Sequence, residues 1–302
     1  MTVAVIGEAL IDLADRPLPG GSPLNVAVGL ARLQQSVALF ARFSTDRYGS
    51  LLRAHAAGVD LGAAVTTEEP STVARLRLDA AGSASYEFAL GADFGWTDAE
   101  LSPLRAGGGC AFSVVHFGSL ASWLPPGSAA IDRAVAARRA ARTSLISYDP
   151  NVRPSLQADP ATARSDVERS ISHAHVVKAS LEDIAYLYGV RDPAPVADRW
   201  LELGARLVVI TRGADGPIAF STRGAVRRPA RPVRVVDTVG AGDAFMSGLL
   251  DALLRRGAAS PDALHAVDLA GVLDDAAQVA ALTCARAGAD PPTRAEVDSA
   301  RA

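Results

Sequence analysis

The sequence predicts a three-layer α/β/α sandwich built on a mostly parallel central sheet. Short apolar runs rich in β-branched residues alternate with Ala- and Arg-rich stretches of helical length. This alternation is typical of a parallel sheet whose two faces are both covered by helices. Residues 71–90 depart from it, because their apolar residues alternate with polar ones, as in a hairpin with one solvated face. We therefore expect a single α/β domain over residues 1–302, with a small β-hairpin lid at residues 71–90.

The individual elements follow from the same patterns. The predicted strands of the sheet are Val3–Ile6, Val37–Phe43, Val114–Phe117, Leu145–Tyr148, Val176–Val177 and Leu207–Thr211. The predicted amphipathic helices are Pro23–Leu33, Tyr48–Ala57, Ser128–Arg142, Ala161–Ser172 and Leu181–Leu187. Strands Thr72–Leu78 and Ser83–Leu90 form the lid hairpin, and Ile218–Ser221 with Val226–Arg228 form a second hairpin.

Composition excludes several classes of protein. The 302 residues carry 30 basic and 33 acidic side chains, a net charge of −3, which argues against a partner made of nucleic acid or an acidic membrane. Two cysteines, Cys110 and Cys284, are too few for a disulfide scaffold or a four-thiolate metal site. The first residues lack a signal peptide, and no apolar run has membrane-spanning length. The sequence predicts a cytoplasmic protein.

The strongest chemical feature is the segment VRVVDTVGAGDAFMSGLLDALL, residues 233–254. We expect an apolar strand up to Val236, a tight turn over Thr238–Gly242 and a helix continuing from Asp243. Glycines allow the backbone amides to face one point, and a helix N-terminus adds unpaired N–H groups, so the turn suits a phosphate. Asp243 is then either a base that takes a proton from an attacking hydroxyl or a residue that caps the helix.

The more common nucleotide-binding motifs are missing. No G-x-x-x-x-G-K-[ST] occurs, which excludes a P-loop enzyme, and Phe245 stands where a dinucleotide fingerprint needs its third glycine.

The sequence of the turn instead resembles a motif of a known family. VDTVGAGDAFMSGLL is similar to the D-T-x-G-A-G-D motif of the ribokinase-like (PfkB) carbohydrate kinases, and GGSPLNVA at residues 20–27 is similar to their Gly-Gly motif. Further similarities follow in family order: GEALIDL at 7–13, YDPNVRP at 148–154, VVKASLEDIAYLYG at 176–189, TRGADG at 211–216 and ALTCARAGADPP at 281–292. The sequences of these motifs are most similar to those of bacterial fructokinases.

The resemblance implies a role for each matching residue. Asp243 would be the general base, and the amides of Gly240, Ala241 and Gly242 would stabilise the transferring phosphoryl group. The sugar would be bound by Asp12, by the Gly20–Gly21 pair and by Asn25. The adenine and ribose side of the ATP site would be lined by Thr211, Gly213 and Gly216.

Residues after the strand Leu145–Tyr148 form a further candidate group, because ligands bind at the carboxyl ends of parallel strands. We assign Asn151 to the ATP site and Arg153 to the substrate. The Arg153 guanidinium suits a phosphate or a substrate carboxylate equally. A similar D-x-N-x-R pattern occurs in 2-keto-3-deoxygluconate kinases, so that substrate stays open beside fructose, as do ribose and nucleosides.

The cation sites are less clear from the sequence. Ser180 and Asp183 stand where ribokinases have an N-x-x-E motif, so Asp183 would contact Mg²⁺ indirectly and Ser180 would face ATP. The nearby Lys178 would contact phosphate, and Asp237 would lie near a K⁺ ion.

The lid is where the chain departs from its relatives. Only seven residues separate Asp12 from Gly20, where relatives insert further strands. We therefore expect a reduced lid, a weakened lid-mediated homodimer and raised ATP hydrolysis without sugar. Outside the kinase class, the chain could be a sugar- or nucleotide-binding protein that has lost turnover.

Overall fold

A central sheet organises the computed structural model, which describes residues 2–78, 84–91, 94–104 and 112–301. Within those residues the sheet has eight strands in the order β14-β13-β12-β11-β10-β9-β1-β4. Their ranges are β1 Thr2–Ile6, β4 Ser36–Phe40, β9 Phe112–Gly118, β10 Leu145–Asp149, β11 Val176–Ser180, β12 Leu207–Thr211, β13 Ile218–Ser221 and β14 Gly224–Arg227. All neighbours are parallel except the β12–β13 and β13–β14 pairs, which confirms the mostly parallel sheet and the second hairpin.

Helices cover both faces of this sheet. One face carries α1 Ser22–Arg32, α2 Arg47–His55, α7 Ala241–Arg255 and α8 Leu269–Cys284. The other carries α3 Ser128–Ala141, α4 Pro160–His173, α5 Leu181–Tyr188 and α6 Ala194–Glu202, and the last helix is α9 Arg294–Ser299. Successive residues of β1 enter opposite cores, Val3 and Val5 on one side and Ala4 and Ile6 on the other. The three-layer prediction is confirmed.

A second, smaller sheet lies outside the sandwich. Its order is β3-β2-β7-β8, with ranges β2 Leu10–Leu13, β3 Pro17–Gly20, β7 Val73–Leu78 and β8 Ala84–Ala89. The turn predicted at residues 79–82 lies outside the described residues, as does Cys110.

The prediction of a lid reduced to residues 71–90 is wrong. Strands β2 and β3 pair from Leu10 with Gly20 to Leu13 with Pro17, so the short connection is itself a hairpin closed by three residues. Pro17 and Pro19 are tolerated because β3 is an edge strand, where a missing N–H breaks no ladder. The expectations of a weakened dimer and raised ATP hydrolysis lose the observation on which they were based.

One predicted strand divides into two. Residues 37–43 are split between β4 in the main sheet and Arg42–Ser44 (β5), which pairs in parallel with Val65–Thr67 (β6) in a separate two-stranded sheet. The chain thus leaves the main sheet after Phe40 and approaches the small sheet.

Helices α1 and α7 pack directly against one another where Gly29 meets Ser247. A Cβ atom added at Gly29 of α1 would lie 2.5 Å from the Oγ atom and 2.8 Å from the Cβ atom of Ser247 in α7. The two helices can therefore approach as they do only because residue 29 has no side chain.

This contact gives a test of the helix packing. Gly29→Ala is expected to lower the free energy of unfolding by about 1–3 kcal/mol, because a methyl group is forced into a filled interface. Urea unfolding measures the loss. Ser247→Gly removes the obstructing side chain. In a protein that already carries Ser247→Gly, Gly29→Ala should therefore cost much less stability than it does in the wild type. Equal losses for Gly29→Ala with and without Ser247→Gly would contradict the close approach.

Candidate active site

The glycine-rich turn leads directly into α7, as predicted. Gly240 precedes the helix in the left-handed conformation, with φ 73°. A Cβ atom there would also lie 2.5 Å from the Cβ atom of Ala289, so both backbone and packing require glycine. The first N–H groups of α7 have no carbonyl partner one turn earlier in the helix, although that of Ala241 donates to the Thr238 carbonyl at 3.2 Å.

The segment before the turn is not the predicted strand. Val235 and Val236 are 58% and 60% exposed and lie in no sheet. Instead, the N–H groups of Val236 and Asp237 both donate to the carbonyl of Cys284 at the end of α8. The valine-rich sequence is typical of a buried strand, but here its backbone pairs with the end of a helix.

Asp243 is held by α1 and not by its own helix terminus. The Ser22 hydroxyl donates to Oδ1 at 2.6 Å, and the Asn25 amide donates to Oδ2 at 2.8 Å. All three side chains are buried. The Oδ1 atom of Asn25 is also buried and has no hydrogen-bond partner. These contacts orient the carboxylate between two helix N-termini, which favours the interpretation as a base over that as a helix cap.

Lys178 lies beneath the turn. A Cβ atom at Gly242 would be 3.0 Å from its Nζ atom, which also forms a buried ion pair of 2.8 Å with Asp149. Burial on its own lowers a lysine pKa, but the carboxylates of Asp149 and Asp183 outweigh it and hold the pKa of Lys178 above its ordinary value. A positive charge therefore lies next to the amides of the turn.

A cavity of about 420 Å³ opens beside Asp243. Its wall includes Asp12, Gly21 and Asn25, as the resemblance implied. Burial raises the pKa of Asp12 to about 6, while the Arg153 charge opposes the shift. Gly20 lies behind this wall, where a Cβ atom would be 2.1 Å from the Asp12 carboxylate. It therefore leaves room for Asp12 and does not line the cavity itself.

Glu8 lines the same cavity, and the sequence analysis did not select it. Its carboxylate is buried and accepts the N–H of Ala121 at 3.1 Å. Its position one residue beyond β1, at the carboxyl end of a parallel strand, is the signal that could have identified it.

Asn151 and Arg153 lie together on the first cavity's wall. The Arg153 guanidinium donates to the Asn151 side chain at 2.7 Å and to the carbonyls of Asn151 and Val152 at 3.1 Å. Arg153 is therefore beside the predicted substrate contacts. Asn151 was assigned to the ATP site, but it lines this cavity and not the second one. Its backbone has a positive φ of 40°.

A second cavity of about 540 Å³ lies on the other side of the turn. Thr211, Gly213 and Gly216, the residues assigned to the adenine and ribose side of the ATP site, line it together with alanines of α8. The side chain of Ser180 is not on either wall. It accepts the Asp183 N–H at 3.0 Å and so caps α5, and Lys178 is likewise behind the walls.

The two candidate cation residues hold backbone segments together. Asp183 accepts the N–H groups of Val152 at 2.9 Å and Ser180 at 2.8 Å. Asp237 accepts those of Val239 at 3.0 Å and Gly288 at 2.8 Å, and these bonds hold its pKa below the ordinary value. Among the described residues, no three His, Cys, Asp or Glu side chains are grouped to hold a metal ion.

The two cavities meet at the turn. Thr238 and Gly242 line both of them, Asp243 lines the first, and Ala241 lines the second. A group bound in one cavity is thus separated from a group in the other only by the N-terminus of α7.

Comparison with protein families gives a match over most of the chain. Residues 3–296 fit the model of the pfkB family carbohydrate kinases. The chain belongs to this family. It is therefore a carbohydrate kinase, and none of the helices in its described parts is long and apolar enough to cross a membrane.

Individual relatives agree with this assignment. A fructokinase from Rhizobium leguminosarum bv. trifolii is 36% identical over 261 residues, which cover 82% of this chain and 78% of that protein. The ATP-bound fructokinase structure from Xylella fastidiosa superposes with a TM-score of 0.84 at 28% identity, covering 99% of this chain and 97% of that one. A fructokinase double mutant from Vibrio cholerae O395, bound to fructose, ADP and potassium ion, has a TM-score of 0.83 at 26% identity, with coverages of 99% and 97%.

Proposed function

We propose that this kinase transfers the γ-phosphoryl group of ATP to a hydroxyl group of fructose. The observation that carries the proposal is the turn shared by the two cavities, because direct transfer requires donor and acceptor on either side of one anion-stabilising group. The sugar occupies the first cavity and ATP the second.

Asp243 is the general base in this proposal. A sugar hydroxyl donates its proton to the Asp243 carboxylate, which Ser22 and Asn25 already orient at 2.6 and 2.8 Å. The amides of Gly240, Ala241 and Gly242, with Lys178 behind them, stabilise negative charge on the transferring group. The Ala241 N–H must exchange its bond to the Thr238 carbonyl for the phosphate.

Cations complete the proposed reaction. ATP enters as its Mg²⁺ complex, since Mg²⁺ is satisfied largely by phosphate oxygens and water and needs few protein ligands. Asp183 already accepts two backbone N–H groups and lines neither cavity, so any contact with the hydrated ion would be through water. Asp237 is half-buried and its carboxylate has lone pairs beyond its two bonds. It is the proposed neighbour of K⁺.

A neutral sugar is favoured over a sugar acid by the charges of the first cavity. Three carboxylic side chains, Glu8, Asp12 and Asp243, line it against one arginine, Arg153. That arginine is already bound to Asn151. The carboxylate of 2-keto-3-deoxygluconate would therefore be repelled by these side chains when they are ionised.

The choice of sugar is tested by ADP release from the purified protein with ATP, Mg²⁺ and K⁺. Offered separately, fructose should give clear turnover, and 2-keto-3-deoxygluconate, ribose and adenosine much less. Arg153→Ala should lower kcat/KM for fructose by roughly tenfold, because it removes a hydrogen-bonded wall and not an essential charge. Preferential turnover of the keto acid that Arg153→Ala abolishes would contradict the proposal in favour of a 2-keto-3-deoxygluconate kinase.

The role of Asp243 is tested by Asp243→Asn. Removing the base should reduce kcat by about 10²–10⁴-fold, while KM for fructose and for ATP changes far less. Asp251→Asn is the matched control, because Asp251 is a buried carboxylate two turns along the same helix that binds Gln35 at 2.8 Å and Arg294 at 2.5 Å. It should retain kcat although it lowers stability. Equal kcat for Asp243→Asn and the wild type would contradict this role and would require a different base.

A further inference from the structure

Glu8 occupies the junction between the two sheets. It follows β1 of the main sheet and precedes β2 of the small sheet, separated from each by one residue. Its side chain is only 1% exposed, yet it forms part of the first cavity's wall. A carboxyl group in this position needs partners, because an unpaired buried charge is costly.

The known partners of Glu8 come from one side. The Ala121 N–H donates to Oε2 at 3.1 Å, and the Ser119 hydroxyl also hydrogen-bonds the carboxyl group. Both donors belong to the chain that leaves β9. A carboxylate can accept about four hydrogen bonds, so capacity remains toward the cavity.

We propose that Glu8 is a specificity-determining residue that accepts a hydrogen bond from one hydroxyl group of the bound sugar. This rests on the proposed function, since it requires a sugar in the first cavity. A substrate without that hydroxyl would leave the buried carboxylate short of a donor, and a polar group left unpaired discriminates far more strongly than a lost apolar contact.

The proposal has a consequence for pH dependence. The charged groups that face Glu8 across the cavity are Arg153, Asp12 and Asp243. Burial raises the pKa of Glu8 to about 7, although its hydrogen bonds and Arg153 oppose the shift. The ionised form accepts the sugar hydroxyl, so KM for fructose should rise as the pH falls through 7. Asp12, whose pKa is about 6, should produce a separate step at lower pH.

Glu8→Gln tests this in the intact enzyme. The glutamine carbonyl still accepts the Ala121 N–H, but the side chain cannot ionise. At pH 8 we expect KM for fructose to rise by about tenfold and KM for ATP to stay unchanged. The step near pH 7 should disappear, while the lower step remains. A merely structural role would leave the pH profile of the folded enzyme unaltered, and that result would overturn the proposal.

Asp46→Asn is the matched control. The Asp46 carboxylate also joins elements near the small sheet, where it accepts the Gly49 N–H at 2.7 Å and the Ser71 N–H at 2.9 Å, but it does not line the cavity. Asp46→Asn should lower the melting temperature and leave both steps in place. If Asp46→Asn also lost the step near pH 7, that step would reflect the structure of the junction. This result would overturn the proposed direct contact between Glu8 and the sugar.

Monodeoxy fructoses identify the hydroxyl group and separate the two proposals. For the analogue that lacks the hydroxyl bound by Glu8, the effects of Glu8→Gln and of the missing hydroxyl on KM should not add. Additive effects for every analogue would overturn the role of Glu8 while turnover of fructose itself upholds the proposed function. No turnover of fructose by the wild type would instead reject the proposed function.

Discussion

The rest of the site depends on the two hydrogen bonds that Ser22 and Asn25 donate to Asp243. They join residues more than two hundred positions apart and bring the N-termini of α1 and α7 to one point. The approach is possible because Gly29 leaves room for Ser247 one to two turns further along. Two helix N-termini and a carboxylate thus occupy one corner of the sandwich. A positively polarised corner of this kind stabilises an ionised carboxylate and attracts phosphate.

The charged groups near the turn differ from one side of it to the other. On one side, three carboxylic side chains face a single arginine around the first cavity. Beneath the turn, Lys178 is fixed by its ion pair with Asp149. A neutral polyol and a polyanion would therefore find different surroundings on the two sides of Gly242. The turn itself contributes backbone dipoles that need no rearrangement during transfer.

Much of the fold and part of the site were predictable from the sequence. Buried parallel strands have an unmistakable pattern of β-branched residues, and the turn motif identified Asp243 and its neighbouring glycines. Pattern alone failed where tertiary contacts override it. Val235 and Val236 match a strand but pair with the end of α8, and Pro17 and Pro19 argue against a strand yet occupy a sheet edge.

The side-chain assignments show the same limit. Asn151 and Arg153 were assigned to different ligands, and only the folded structure shows that both line one cavity and neither lines the other. Glu8 was missed although it belongs to the GEALIDL segment and follows β1, because nothing in the sequence shows that its side chain reaches the cavity wall. Its importance comes from burial against Ser119 and Ala121, which are more than a hundred residues away.

The most direct test of the account is a crystal structure of the protein with fructose and a non-hydrolysable ATP analogue. The account predicts fructose in the cavity lined by Asp12 and Asn25, with one hydroxyl oxygen within hydrogen-bond distance of the Asp243 carboxylate. The γ-phosphate should lie against the amides of Gly240–Gly242, in line with that hydroxyl. Fructose bound away from Asp243, or a γ-phosphate on the far side of the second cavity, would contradict transfer across this turn.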